Sequence, residues 1–359
     1  MKVRINAYVN LRTELAEIHP YNNPGDLYFS PGDIINVAET VIGENYKGNN
    51  LWYRLEEGGY VWSGGGDKFD FANLIPKTKE FPSWMLNLNI DKVWKYATGK
   101  NVGVAVIDTG INTQNPDLIY NNNHFTYDKN ISIADSHGHG THCAGLIGAR
   151  NKSNYKIGVA PECNLYICKI AENGAIAEKE TSRFIDAINW CTEQENIHVI
   201  SISWAIQISD PVLKEDLKKA VDRATAKNKV ILASIGHASS ESSKSIRYPA
   251  CYKNSIGIGI IPVTDTLYSN KNDFLTTVSD GFNIFSYEHV NQGIKAMSGS
   301  SQSNAILAGI VALIIEKIDF KYTPESIKSH LIKLSKTKVI IKEPLSVFDG
   351  ELFLNFMKI

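Results

Sequence analysis

Three short segments of this chain carry residues able to make and break bonds. Asp108 closes the run Val104-Ala105-Val106-Ile107-Asp108-Thr109-Gly110, in which an apolar stretch delivers a carboxylate into a tight turn. His139 and His142 lie in Gly138-His139-Gly140-Thr141-His142-Cys143-Ala144-Gly145, a glycine-rich approach to a helix. Ser301 lies in Met297-Ser298-Gly299-Ser300-Ser301-Gln302-Ser303, a small-residue turn running into an apolar helix. A serine hydroxyl is a poor nucleophile until an adjacent imidazole accepts its proton. A buried carboxylate then fixes the imidazole tautomer and stabilises the imidazolium that forms. A helix beginning just after Ser301 would add backbone N–H groups and a positive dipole end near a developing oxyanion. The middle segment has a second chemistry open to it, because His137, His139 and His142 could bind a metal. No cysteine or carboxylate pair elsewhere has a spacing that would complete such a site.

These groups are useful only if the elements behind them converge. From Asp91 onward the apolar runs Val102–Ile107, Asn164–Ile170, His198–Ile202, Val230–Ser234 and Ser255–Ile261 read as buried strands. Helical stretches over His142–Ala149, Glu180–Gln194 and Pro211–Lys227 alternate with them, which predicts a parallel sheet covered on both faces. Two more helices, Ser303–Lys317 and Pro324–Leu334, complete the core. The second opens with Thr323 as N-cap and Pro324 at the first helical position. In open α/β sheets ligands gather at the carboxyl ends of the strands, so all three segments are suited to one crevice.

The first ~65 residues have a different texture. Short β-type runs at Lys2–Tyr8, Ile34–Ala38, Leu51–Leu55 and Gly59–Trp62 are separated by turn clusters and show no helical period. They predict a small all-β barrel over residues 1–66. Residues 67–90 read as a linker and 91–359 as the catalytic domain. With 37 Lys plus Arg against 38 Asp plus Glu among 359 residues, there is no basic excess for nucleic acid. No apolar run is long enough for a membrane span. An odd five cysteines argue against a disulfide framework and for a reducing compartment. The opening MKVRINAYVNLRTE turns polar too soon for a secretory signal, so the expected location is cytoplasmic.

Taken together, in the order Asp, His, Ser, the three segments resemble the subtilase family of serine proteases. The likeness extends to Val93-Trp94 with Gly99, Asn115-Pro116-Asp117-Leu118, Gly158-Val159-Ala160-Pro161, Ser201-Ile202-Ser203-Trp204-Ala205 and Tyr248-Pro249. It implies a subtilisin-like α/β fold and a serine endopeptidase with Asp108, His139 and Ser301 catalytic and His142 structural. By the same resemblance Ser203, Trp204, Ala205, Ile235 and Gly236 would line the primary pocket, and Gly174–Ala177 its far side. Arg247 near the pocket floor hints at acidic substrates. The family's oxyanion asparagine is replaced by His237, which would share that role with Ser301. The stretch Gln302–Ile306 also departs from the family pattern. Catalytic weakness, as in a pseudoprotease that binds peptides, is therefore the alternative.

Relatives commonly bind calcium through a residue matching Asp117 and the loop Arg150–Lys156. Here Arg150, Lys152 and Lys156 crowd that loop with cations, so no metal or other cofactor is expected. Cys143 implies either a thiol whose modification blocks the site or a small buried hydrophobe. The first 66 residues resemble a bacterial Src-homology-3-like barrel, whose ligand would be a protein or peptidoglycan. Leu74-Ile75-Pro76 is similar to a short inhibitory extension, with a plain linker as the other reading. The implied activity is that of an intracellular processing protease of narrow specificity acting on peptides or proteins.

Overall fold

The computed structural model describes residues 2–5, 9–10, 28–29, 33–46, 49–56, 60–62, 66–68, 81–152, 156–174, 176–236, 245–261, 273–290, 293–340 and 343–359. Two compact units are distinct: Met1–Thr78 with Ala296–Ser298, and Lys79–Lys295 with Gly299–Ile359. In the first, a five-stranded antiparallel sheet runs in the order Tyr60–Trp62, Asn49–Leu55, Ile34–Tyr46, Lys2–Ile5, Gly66–Lys68. Alternate residues point to one face of a strand, so Val3 and Ile5, Ile35 and Val37, Tyr53 and Leu55 meet in a small core with Val61. The long strand continues to Tyr46, beyond the Ala38 that the sequence suggests. Closure into a barrel is not among the described pairings.

The second unit is built on a nine-stranded sheet. In chain order its strands are β1 (Gly103–Asp108), β2 (Phe125–Thr126), β3 (Asn164–Lys169), β4 (Val199–Ile202), β5 (Val230–Ser234), β6 (Ser255–Ile260), β7 (Leu275–Ser279), β8 (Ser335–Ile340) and β9 (Glu343–Phe348). They lie in the order β8-β9-β7-β6-β5-β4-β1-β3-β2, parallel except for the β8–β9 hairpin. The major helices are α1 (His139–Gly148), α2 (Ser182–Glu193), α3 (Pro211–Ala226), α4 (Ser300–Lys317), α5 (Pro324–Lys333) and α6 (Gly350–Lys358).

Why the central strands read as unbroken apolar runs is plain from their packing. Val104 and Val106 join the core cluster containing α1 and α4, whereas Ala105 and Ile107 join that of α2 and α3. Both faces are covered, so neither alternate set can be polar. Helix α4 is buried on nearly every side from Ser300 to Ile315, which explains its apolar and small-residue composition. Each fully buried Ile or Leu on it contributes about 1.5–3 kcal/mol. Thr323 and Pro324 open α5 as expected, with the threonine side chain accepting from the Ser326 N–H.

The boundary drawn from sequence needs a correction. Residues 83–90 are not a connector: two short helices, Ser83–Asn87 and Ile90–Val93, put Trp84, Met85, Leu88 and Ile90 into the large core of the second unit. Leu74–Pro76, the candidate inhibitory segment, lies outside the described residues.

Candidate active site

Strand β1 ends at Asp108, and its neighbours in the sheet are β4 on one side and β3 on the other. Chain order reverses there, which leaves a crevice beyond the strand ends. Asp108 is buried, and one of its oxygens accepts from the Thr109 N–H at 2.8 Å. The His139 Nδ1–H donates to Asp108 Oδ1 at 2.8 Å and lies 3.0 Å from Oδ2, so Nε2 is the nitrogen free to take a proton. Burial by itself would make protonation harder. The Asp108 carboxylate outweighs it and holds the imidazole well above its ordinary pKa.

The position of His139 depends on the glycines and threonine of its own motifs and on Asp135, which the sequence reading passed over. Gly138 has φ 100°, so the entry to α1 needs glycine, and a Cβ on Gly140 would lie 2.4 Å from the Gly110 carbonyl oxygen. The first-turn donors of α1 are satisfied from outside the helix. Thr109 Oγ1 accepts from Gly140 N at 2.8 Å. Asp135 accepts from His137 N and Gly138 N, both at 2.9 Å, and from Thr141 N at 2.8 Å and its hydroxyl at 2.6 Å. Burial pushes the Asp135 pKa up, but these bonds win and hold it below the usual carboxylate range. The available signal was an aspartate just upstream of a glycine-rich helix start, a pattern typical of side-chain capping of turns.

His142 faces away from the crevice. Its Nε2–H is shared between the carbonyls of Ile284 and Lys295 at 3.0 and 3.1 Å. Burial, with His139 nearby, lowers its pKa to about 3, so it is neutral. With His142 committed to carbonyls, the three histidines do not assemble as ligands of one ion. Cys143 is buried, its sulfur is 3.9 Å from His139 Nδ1, and burial pushes the thiol up. Asp108, His139 and Cys143 do offer donor atoms within 4.8 Å of one another.

Ser301 sits in the first turn of α4, whose N–H groups lack partners one turn earlier. Its hydroxyl donates to Ser203 O at 2.8 Å, and no bond joins it to His139 among the described residues. Such bonds are often unformed before substrate enters, and a rotation about one side-chain torsion redirects the hydroxyl. Ser301 and His139 line one cavity of about 350 Å³ together with Ser203, Trp204, Ala205, Gly236 and Arg247. Gly174 forms part of its far wall; Ala175 lies outside the described residues, and Ile176 and Ala177 are not in the lining. Ile235 also departs from expectation: it is fully buried in the α2–α3 core and does not line the cavity. Trp204 stands edge-on to His139, ring centres 6.3 Å apart, and to Phe184 at 6.1 Å. His237 lies outside the described residues. The unusual Gln302–Ile306 stretch is partly satisfied: Asn304 Nδ2 donates to Ser201 Oγ and Ser203 Oγ at 3.1 and 3.3 Å, and Ser303 Oγ donates to Gly259 O at 2.6 Å, while Gln302 Nε2 and Asn304 Oδ1 are buried without a partner among the described residues.

At the loop matched to a calcium site, the described polar groups are engaged with one another. Asp117 is buried, and its two oxygens accept from Lys152 N at 3.0 Å and the Tyr287 hydroxyl at 2.5 Å. The Asn151 carbonyl accepts from Lys156 Nζ at 2.7 Å.

Comparison with known proteins agrees with this geometry. A model of the subtilase family matches residues 99–344. The major intracellular serine protease of Bacillus subtilis (strain 168) is 34% identical over 253 residues, covering 67% of this chain and 76% of that protein. The intracellular serine protease of Paenibacillus polymyxa is 29% identical over 293 residues, covering 77% and 86%. Among solved structures, the MycP3 protease from the type VII (ESX-3) secretion system has the same fold, with a TM-score of 0.64 at 21% identity over 78% of this chain and 90% of that one. The chain belongs to the subtilase family of serine-type endopeptidases.

Proposed function

We propose that the crevice cuts peptide bonds through an acyl-enzyme on Ser301, with His139 as the base and Asp108 as its orienting partner. The observation that supports this most directly is the bonded Asp108–His139 pair sharing one cavity with Ser301. When Ser301 Oγ leaves Ser203 O and turns to His139 Nε2, the imidazole takes its proton as the oxygen bonds to the substrate carbonyl carbon. The imidazolium returns that proton to the amine nitrogen as the C–N bond breaks. Water then repeats the sequence and releases the acyl group. In this reading Ser301 N–H and His237 are the oxyanion donors, and Ser203, Trp204, Ala205 and Gly236 hold the substrate.

Two relatives named as intracellular proteases favour a cytoplasmic processing enzyme of narrow specificity. No helix among the described residues is long and apolar enough to cross a membrane. The first unit is assigned as a Src-homology-3-like barrel that holds a protein or peptidoglycan ligand. The Lys156–Asn151 contact supports a calcium-free loop. A fluorophosphonate probe tests the central claim: it labels the wild type and spares Ser301→Ala, and casein cleavage is lost in that variant. Labelling of neither protein would favour the peptide-binding alternative.

A further inference from the structure

The lining of the cavity includes a residue that the triad does not explain. Ile206 and Tyr248 exchange backbone bonds, Ile206 N to Tyr248 O at 3.1 Å and Tyr248 N to Ile206 O at 2.9 Å. This antiparallel bridge fixes Arg247 beside the strand end that carries Trp204 and Ala205, and Arg247 lines the cavity with them. The guanidinium is half-buried, and its hydrogen bond among the described residues is a long one, Nε to the neutral Ser245 hydroxyl at 3.3 Å. No carboxylate is among the described residues that line the cavity. A partly desolvated cation is normally met by a counter-charge, and none of the described residues lining the cavity supplies one. An apolar substrate side chain would leave the guanidinium unanswered. A carboxylate supplies charge and several acceptor lone pairs in a single group, in the planar form that a guanidinium matches.

We infer that the pocket selects an acidic side chain, glutamate or aspartate, in the substrate residue whose carbonyl Ser301 attacks, with Arg247 as its specificity-determining partner. This rests on the proteolytic reading given above. The test uses the full chain and internally quenched peptides blocked at both ends, identical except for Glu, Gln, Leu or Lys at that residue. Blocked ends ensure that the only carboxylate on offer there is the side chain's. We expect kcat/KM to favour Glu over Gln by about tenfold or more, since a site built for a polar partner rejects an analogue that leaves its donors unanswered. That ratio collapses toward one in Arg247→Gln, falls below one in Arg247→Glu, and is retained in Arg247→Lys. Preferred cleavage after Leu or Lys, or a Glu/Gln ratio that Arg247→Gln does not change, overturns the inference while leaving the protease intact. No turnover of any peptide, with no Ser301-dependent fluorophosphonate labelling, removes the proteolytic reading and this inference with it.

Discussion

His139 has to be neutral to accept a proton, yet the Asp108 carboxylate beside it favours the charged form. A histidine pKa raised in the free enzyme moves the working range upward in pH. We expect kcat/KM for a fixed peptide to fall about tenfold per pH unit below a midpoint that lies above the ordinary value of 6.5. Asp108→Asn removes the carboxylate, so the midpoint moves down and the rate drops by about 10³–10⁴. A pH profile with its midpoint at or below 6.5 in the wild type would show that the carboxylate is not acting on His139. The neighbouring His142 has the opposite sign. Its pKa is about 3 in the folded chain against an ordinary 6.5, so between those pH values the unfolded chain binds a proton that the folded one refuses. Stability is therefore lost as pH falls, at up to about 1.4 kcal/mol per pH unit from this residue. Urea unfolding between pH 4 and 6 should show a steeper loss for the wild type than for His142→Asn, by roughly that slope. Equal slopes would mean that His142 is not held neutral.

Elements were legible in the sequence where burial left only one kind of residue to use. β1, β3, β4, β5 and β6 are covered on both faces, and their apolar runs located them to within a residue or two. β7 and the β8–β9 hairpin escaped notice because sequences such as Leu275-Thr276-Thr277-Val278-Ser279 and Ser335–Ile340 mix polar residues into the strand. The starts of α1 and α4 were placed three residues late, since glycine and serine have weak helix propensity and the caps of α1 come from Thr109 and Asp135, distant in sequence or outside the helix. Propensity reports local preference, whereas these two starts are set by tertiary contacts and carry His139 and Ser301. The same distinction applies to the Asp117 loop. There the signal was the excess of cations, and the structure gives one of them an acceptor, Lys156 Nζ on Asn151 O. A chelator should leave the melting temperature unchanged. Lys156→Ala should destabilise by about 1 kcal/mol, less than the roughly 1.5–3 kcal/mol of a buried charged hydrogen bond because the lysine is part-exposed. A large drop in melting temperature on chelation would show that a metal holds this loop instead.

The two compact units have separate cores, and the catalytic one begins earlier than composition suggests. Residues 67–90, with Pro76 and Pro82, read as a connector, but the residues just after Pro82 are anchors. Trp84, Met85, Leu88 and Ile90 are buried in the same cluster as Phe353, Leu354 and Met357 of α6. Contact there is close: a Cβ on Gly350 would lie 2.2 Å from the Asn87 carbonyl oxygen, and Asn89 Nδ2 donates to Glu351 Oε1 at 3.1 Å. The segment leading into the unit and the helix that ends it thus close one core between them, with α4 at its centre. A chain trimmed to start at residue 79 keeps all four anchors, whereas one starting at residue 91 loses them. Each buried anchor contributes about 1.5–3 kcal/mol, and four together approach the roughly 5–15 kcal/mol that separates a typical folded domain from its unfolded chain. We therefore expect the chain from residue 79 to melt in a single cooperative transition and to cleave short blocked peptides. The chain from residue 91 should lack that transition, measured by calorimetry and near-ultraviolet circular dichroism. If both melt alike, the helices at 83–93 are ornaments on the core, and the domain does begin where the composition changes.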